Sequence, residues 1–177
     1  MTIITAADTE AVYKVPMNTT PLKSEAANEL YASLSPELRT ELANQERSVA
    51  VPAGTNLIKR GILPDLLVIV NSGKVEITLD CAHESILLDC ATAGRVFGMR
   101  AIVSGELPEE DVTCLENCSV TLIPRETFLK TVRQHPEMYF AIAKVLSHDL
   151  VMAQRLLKTS LRRPLRKTIA KPLGLPN

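Results

Sequence analysis

The middle of the chain, residues 47–124, alternates short apolar or β-branched stretches with turn residues, and this pattern restricts the fold more than any other feature. The clearest stretches are residues 66–70, 75–79 and 119–123. They recur at roughly ten-residue intervals with Gly, Pro, Asn and Ser between them, as expected for short strands joined by turns. Regular short strands predict a sandwich or a jelly-roll barrel. The segment Asn71-Ser72-Gly73 is typical of a bulged hairpin turn.

Helical patterns flank this region on both sides. Residues 25–34 carry apolar side chains at helical spacing, and Ser35-Pro36 then supplies an N-cap and a first-turn proline for a second short helix. Beyond residue 124, the pattern predicts a helix from Glu126 to about Gln134. A break at His135-Pro136, with the proline at the first helical position, precedes a long helix from Glu137 to about Thr159.

Together these patterns predict an α+β protein that is mainly β: a double-stranded β-helix (jelly-roll) barrel with short N-terminal helices and a long C-terminal helix. Residues 1–24 show no sustained period, so we expect a flexible N-terminal arm there. Residues 25–160 form the predicted domain. Residues 161–177 form a basic tail in which three prolines exclude a further regular helix.

The long helix has two apolar stripes where one would suffice to dock it on the barrel. The first stripe follows a 3–4 heptad spacing and consists of Ala143, Leu146, Leu150, Ala153 and Leu157; the second consists of Ile142, Val145, Met152 and Leu156. A heptad stripe favours pairing with a partner helix, so we expect a homodimer formed through the first stripe. The alternative is a helix that buries one broad face within its own chain.

Composition narrows the class of protein. With 177 residues and 46% hydrophobic residues, the chain has enough apolar material for one domain core. Its apolar runs, such as Leu66–Val70, are far shorter than the ~20 residues that span a bilayer, and the first residues lack the features of a secretory signal. We therefore expect a cytoplasmic protein whose four cysteines are buried thiols, with no metal site.

Charge is distributed unevenly along the chain. Residues 1–153 hold 13 basic residues and all 20 acidic residues, a net charge of −7, whereas the remaining residues carry seven basic residues and no acid. Phosphate contacts from a short basic tail give only non-specific, salt-sensitive binding. We therefore expect no sequence-specific nucleic-acid binding by this chain.

The histidines do not form a catalytic pattern. His83, His135 and His148 are scattered over a predicted hairpin, a helix start and a helix. A metal-dependent enzyme on a similar barrel would need clustered His and carboxylate ligands. The sequence therefore indicates a protein that is not an enzyme and needs no cofactor.

Several short motifs resemble those of a known family, in the same order and at the same spacing. They are Leu34-Ser35-Pro36-Glu37-Leu38, Val51-Pro52-Ala53-Gly54-Thr55, Gly61, Val68–Val75, Gly94–Gly98, Ile123–Phe128 and His135-Pro136-Glu137. This succession resembles the cyclic nucleotide-binding domain, in the version that forms the sensor half of bacterial catabolite-activator-type (Crp/Fnr superfamily) transcription regulators. Because residues 161–177 contain three prolines, we expect this chain to lack the helix-turn-helix domain that follows in those regulators.

The resemblance implies a phosphate-binding cassette, but the residues that carry its chemistry differ here. Phe97 and Gly98 match, whereas Met99 stands where the family has a ribose-binding glutamate. Pro108 stands at the position of the phosphate-binding arginine, and Glu109 and Glu110 replace the small residues after it. The remaining candidates for ligand contact are Arg100, which could hold a different anion, its neighbour Ala101, and Gln154 at the position of a purine-binding polar pair.

These departures define the functional hypotheses. The first is a non-catalytic sensor or regulatory domain with a degenerate cassette, which does not bind cyclic AMP or cyclic GMP in the usual way but accepts an unidentified small molecule. The alternatives are a ligand-independent interaction and dimerisation module, or the sensor fragment of a transcription regulator.

Overall fold

The computed structural model describes residue 28, residues 30–81 and residues 84–162. The described part of the first predicted helix is a 3₁₀ turn, Tyr31–Ser33, in which the backbone N–H of Tyr31 donates to Asn28 Oδ1. The second helix, α1, spans Pro36–Ala43. Ser35 is its N-cap and accepts a hydrogen bond from the backbone N–H of Leu38, as the sequence predicts.

Eight strands of the described chain form two antiparallel four-stranded sheets. The strands are β1 (Arg47–Val51), β2 (Asn56–Ile58), β3 (Leu66–Ser72), β4 (Val75–Cys81), β5 (Glu84–Ala91), β6 (Val96–Phe97), β7 (Glu110–Cys114) and β8 (Cys118–Pro124). One sheet has the order β1-β8-β3-β6 and the other has the order β2-β7-β4-β5. This arrangement is the predicted jelly-roll barrel within a mixed, mainly β fold.

The predicted hairpin at Asn71-Ser72-Gly73 is wrong. This segment joins β3 to β4, and the two strands belong to different sheets: β3 pairs with β6 and β8, whereas β4 pairs with β5 and β7. The segment is therefore a crossing between sheets. Gly73 has φ +95° there, and a Cβ on it would lie 2.6 Å from Cys118 Sγ, so the crossing passes close to the start of β8.

Two core clusters explain the uninterrupted apolar run in β3. Leu66, Val68 and Val70 point into the interior between the sheets, where they pack with residues such as Val120. The alternate residues, Leu67 and Ile69, point outward and are covered by the helices. Because both faces of β3 are buried, the strand loses the polar alternation of a half-exposed strand.

Three helices follow or interrupt the strands: α2 (Met99–Ser104), α3 (Arg125–Gln134) and α4 (Met138–Arg162). α3 agrees with the prediction. α4 begins two residues after Pro136, which lies in the preceding turn and not at the first helical position, because the backbone N–H of Met138 closes a turn onto the carbonyl of His135. No helix in the described part of the chain combines the length and hydropathy of a membrane span.

The two stripes of α4 have different environments. Ile142 and Val145 are buried against the barrel in the same cluster as Met138, so the second stripe docks the helix on its own chain. The first stripe is half-buried at Leu146 and exposed at Ala143, Leu150, Ala153 and Leu157. Intramolecular docking therefore accounts for one stripe and leaves the other on the surface. The predicted arm, residues 1–24, lies outside the described residues. Of the predicted tail, residues 161–177, only Leu161 and Arg162 are described, and they continue α4 beyond its predicted end.

Candidate functional site

A cavity of about 670 Å³ lies between the second sheet, the segment from β6 to α2, and the middle of α4. β4 and β5 supply Ile77, Leu79 and Leu88 to one wall. α4 closes the opposite wall with apolar residues between positions 146 and 156. The cavity therefore has mainly apolar walls and polar groups at a few positions.

The backbone at the start of α2 depends on Gly98. This residue is the N-cap of the six-residue helix α2 and has φ +85°, a conformation that glycine adopts without strain. A Cβ at this position would lie 3.3 Å from both the carbonyl oxygen of Leu66 and Ile58 Cδ1. A larger residue would therefore both strain the turn and push α2 away from β3.

Most of the residues predicted for the site line this one cavity. They are Phe97, Gly98, Met99, Arg100, Ala101, Pro108, Glu109 and Glu110. Gln154 does not line it and is exposed on α4; its neighbours Met152 and Ala153 line the cavity instead, because one residue turns a helix by about 100°. Leu146, Leu150 and Ala153 of the first stripe also line it, so the cavity wall and the exposed stripe share residues.

The side chains of Met99 and Pro108 have no charged group to offer a ligand. Met99 is only 1% exposed and packs in the helix-side core cluster with Leu67 and Phe128. Pro108 is buried, and its carbonyl accepts a hydrogen bond from the backbone N–H of Gly61 at 2.9 Å. At both positions the side chain is packed in the protein interior.

Arg100 is held by carboxylates at the rim of the cavity. Its Nη2 lies 3.2 Å from Glu110 Oε2, and its Nη1 lies 3.9 Å from Glu106 Oε2. Arg100 is 42% exposed and Glu110 is 33% exposed, so both groups keep partial access to solvent. An incoming anion would therefore compete with two carboxylates for this guanidinium group.

Arg95 forms a second ion pair, which connects the barrel to α4 across the cavity. Its Nη2 lies 3.2 Å from Asp149 Oδ1, and its guanidinium carbon lies 5.9 Å from the centroid of the Phe97 ring. Asp149 is a site residue that sequence reasoning missed. A signal was present, because Asp149 falls at the 3–4 spacing between Val145 and Met152, where it interrupts an otherwise apolar stripe.

A polar network lies next to the cassette, at the start of β7. Burial alone would raise the pKa of Asp111. The hydrogen bond from the backbone N–H of Arg60 and the ion pair with Lys59 Nζ at 3.1 Å together outweigh burial and lower it. These bonds hold β7 against the loop that follows β2.

The described cysteines, Cys90, Cys114 and Cys118, are free thiols. Cys114 and Cys118 are buried as predicted, whereas the prediction is wrong for Cys90, which is exposed on β5. Burial, together with the neighbouring thiol of Cys118, raises the pKa of Cys114 to about 12. A thiol with such a pKa is protonated at neutral pH and is a poor nucleophile. Within the described residues no group of His, Cys, Asp and Glu side chains could hold a metal ion.

A second cleft, of about 780 Å³, lies between α1, β1 and α3 and is lined by side chains of both charges, including Glu41, Arg47 and Lys130. Its wall also contains Glu46, which accepts a hydrogen bond from the hydroxyl of Tyr31. Burial raises the pKa of Glu46, although the bond from Tyr31 partly opposes this effect. None of the predicted site residues lies in this cleft.

Several solved structures have a fold similar to that of this chain. The catabolite activator protein of Thermus thermophilus is 21% identical, with a TM-score of 0.65 over 76% of this chain and 63% of that chain. The regulatory domain of Toxoplasma gondii PKA, solved with cAMP, is 23% identical, with a TM-score of 0.56 over 59% of this chain and 40% of that chain.

A third relative is the c-di-GMP responsive global regulator CLP of Xanthomonas campestris. It is 19% identical, with a TM-score of 0.59 over 71% of this chain and 63% of that chain. The chain therefore spans less than two thirds of the length of each of these three structures. No curated protein sequence matches the chain.

The family assignment rests on sequence as well as on fold. Residues 48–135 match the family described as Cyclic nucleotide-binding domain. The matched segment contains all eight strands except the first residue of β1, together with α2 and α3. The expected resemblance is thus confirmed: residues 48–135 of this chain match the cyclic nucleotide-binding domain, and α4 packs across the cavity of this domain.

Proposed function

We propose that the chain is a non-catalytic sensor or regulatory domain whose cavity does not bind cyclic AMP or cyclic GMP in the micromolar range. One observation carries this proposal: Met99, at the position of the ribose-binding glutamate, is buried in the core. A thioether cannot replace a carboxylate as an acceptor for two ribose hydroxyls. The free thiols at Cys90, Cys114 and Cys118 support a protein that functions in the reducing environment of the cytoplasm.

Magnitudes support the loss of affinity. A hydrogen bond to a charged group contributes about 1.5–3 kcal/mol, and the cassette lacks both the glutamate and the arginine that would form such bonds. A carboxylate about 4 Å from a phosphate adds repulsion of about 1 kcal/mol in water and about 4 kcal/mol at an effective dielectric constant of 20. Glu109 and Glu110 line the cavity where that phosphate would lie. Together these effects lower affinity by several powers of ten.

Titration calorimetry with cyclic AMP and cyclic GMP tests the proposal directly. We expect no heat of binding at ligand concentrations up to about 100 μM, and the Toxoplasma gondii PKA regulatory domain, solved with cAMP, serves as the positive control under the same conditions. A dissociation constant below about 10 μM, which corresponds to about 7 kcal/mol of binding free energy, would contradict the proposal.

A second experiment replaces the same residues with those of the resembled family and measures the gain in affinity for cyclic nucleotides. Pro108→Arg, Glu109→Ser and Glu110→Ala together restore the phosphate clamp in outline, and cyclic nucleotide affinity should rise. Met99→Glu belongs in a separate variant, because it introduces a carboxylate into the helix-side core and costs stability. If the triple variant folds and still gives no binding, the missing glutamate contact is the dominant loss.

The exposed stripe of α4 supports a second part of the proposal, a homodimer with the two α4 helices side by side. Leu150 is 60% exposed and Leu157 is 62% exposed, which leaves large apolar side chains in water in a single chain. Symmetric pairing would bury the same patch on both protomers.

The same observation favours the alternative of a dimerisation module that needs no ligand. The alternatives differ in one measurable respect, because a sensor changes its dimer dissociation constant when the cavity is filled, whereas an interaction module does not.

We further propose that this chain does not read DNA sequence. Within the described residues the last helix, α4, packs on the barrel through Met138, Ile142 and Val145. Base readout requires an ordered element in a DNA groove. Gel shifts at 150 mM salt with excess competitor test this expectation, and a discrete complex that survives competition would contradict it.

A further inference from the structure

We propose that the cavity between the second sheet and α4 binds an apolar organic cation, such as an amine carried on a hydrophobic ring system. This inference rests on the proposed function, because it assigns a ligand class to the same cavity. It reverses the sign of charge expected for a pocket in a cyclic nucleotide-binding domain.

The walls of the cavity set the apolar part of the ligand. Ile77 and Leu79 of β4 lie on one side, and Met152 and Leu156 of α4 lie on the other, with Phe97 between them. Burying apolar ligand surface against such walls is the main source of affinity in most small-molecule sites. A volume of about 670 Å³ is within the range of ligand pockets.

The charged residues that line the cavity determine which sign of charge the ligand should carry. Both arginines that line it are already paired: Arg95 with Asp149 at 3.2 Å, and Arg100 with Glu110 at 3.2 Å. Two further carboxylates line the cavity, those of Asp89 and Glu109, and within the described residues neither forms an ion pair. Four acidic residues against two arginines give the lining a formal charge of −2.

This arrangement discriminates between ligand charges. An anion would have to displace Asp149 or Glu110 from its arginine, in a cavity whose lining already contains more carboxylates than arginines. A cation meets Asp89 and Glu109 without breaking either pair. Because low-dielectric walls strengthen the field of charges that line a cleft, the preference for a cation exceeds that of an exposed acidic surface. A neutral ligand gains the apolar contacts alone.

Three compounds with one hydrocarbon skeleton separate these cases: 1-adamantylmethylamine, 1-adamantylmethanol and 1-adamantanecarboxylate. Their dissociation constants are measured with the unmodified chain by ligand-observed NMR and by thermal shift at pH 7. We expect the amine to bind about tenfold more tightly than the alcohol, and the alcohol about tenfold more tightly than the carboxylate. Tightest binding of the carboxylate would overturn the proposal, as would equal affinity for all three.

Two variants assign the effect to the cavity. Asp89→Asn combined with Glu109→Gln should remove the preference for the amine over the alcohol and leave affinity for the alcohol within about twofold. Glu116→Gln changes an exposed acidic residue that does not line the cavity and should leave the preference intact. If the preference persists in the double variant, the amine binds elsewhere and the assignment is wrong.

The outcomes also separate this inference from the proposed function. Micromolar binding of cyclic AMP refutes the proposed function, whatever the adamantane series gives. Tight binding of the carboxylate without cyclic nucleotide binding refutes only the ligand class. Absence of binding by all three compounds at millimolar concentration refutes an apolar ligand for this cavity and leaves the loss of cyclic nucleotide binding untouched.

Discussion

Replacing Leu157 with glutamate should break the proposed dimer. Leu157 belongs to the first stripe of α4, is 62% exposed, and does not line the cavity. This makes it a cleaner site than Leu150, which is 60% exposed but also contributes to the cavity wall. The substitution therefore changes the stripe and leaves the barrel and the ligand site intact.

The magnitude follows from the exposed fraction of this side chain. Complete burial of a leucine stabilises by about 1.5–3 kcal/mol, so burying the part that remains exposed contributes about 1–2 kcal/mol. A twofold-symmetric interface contains two copies, which gives about 2–4 kcal/mol and a rise in dissociation constant of about 30- to 1000-fold. Repulsion between the two new carboxylates adds to this loss.

Sedimentation velocity and multi-angle light scattering at about 1–100 μM provide the assay. We expect a dimer for the unmodified chain and a monomer for Leu157→Glu, with the free energy of unfolding changed by less than about 0.5 kcal/mol because the side chain is on the surface. Leu87→Glu is the matched control, since Leu87 is 56% exposed on β5 and far from the stripe in sequence. A monomeric unmodified chain, or dimer loss in both variants, would refute the assignment of the stripe.

Further predictions concern the barrel. Gly73→Ala should lower the free energy of unfolding by about 1–3 kcal/mol because of its positive φ, and by about 1–3 kcal/mol more because of the close contact with Cys118. Gly54→Ala has no atom within 4 Å of the added Cβ, so it should lose only the about 1–3 kcal/mol that comes from the positive φ. Burial raises the pKa of Glu46, so the contribution of this residue to stability is complete below pH 4.5 and is lost as the pH rises through the folded-state pKa. The stability of Glu46→Gln relative to the unmodified chain should therefore increase toward neutral pH. The pKa of Asp111 is lowered, so its contribution is present above pH 3.8 and lost as the pH falls through its folded-state value. Asp111→Asn should therefore cost most at neutral pH.

Urea unfolding measures all of these variants. Equal losses for the two glycine variants would show that the crossing between β3 and β4 relaxes around the added methyl group. For the acidic residues, the difference from the unmodified chain is followed from pH 3 to pH 8. Parallel pH profiles for Glu46→Gln and Asp111→Asn would contradict the opposite directions of their pKa shifts.

Local patterns in the sequence were sufficient to predict β3, β4, β8 and α3, but they did not give the correct start of α4. The apolar period of residues 75–79 and the cap at Ser35 are encoded by neighbours in sequence, and the structure confirms them. The hairpin prediction at Asn71-Ser72-Gly73 was wrong because these turn residues are compatible both with a hairpin and with a crossing between two sheets. Whether two successive strands pair or separate depends on their other partners, and Val68 of β3 pairs with Leu122, which lies far along the chain.

The candidate site was predictable in its location and less so in its contacts. The cassette motif located Phe97–Ala101 and Pro108–Glu110 on one cavity. Arg95 and Asp149 are 54 positions apart in the sequence, so a local hydrophobic period cannot predict that they form an ion pair. Gln154 lies outside the cavity lining, because a shift of one residue along a helix turns the side chain by about 100°.

The pairing of β1 with β8 has a consequence for the synthesis of the protein. β1 lies at the edge of its sheet, and its Arg47 pairs with Leu122, which is 75 positions later. A ribosome that adds about 5–20 residues per second leaves about 4–15 s between the emergence of the two strands. During that interval β1 and β3 have been made but β8, which pairs with both, has not. The first sheet therefore cannot close co-translationally until β8 has left the ribosome.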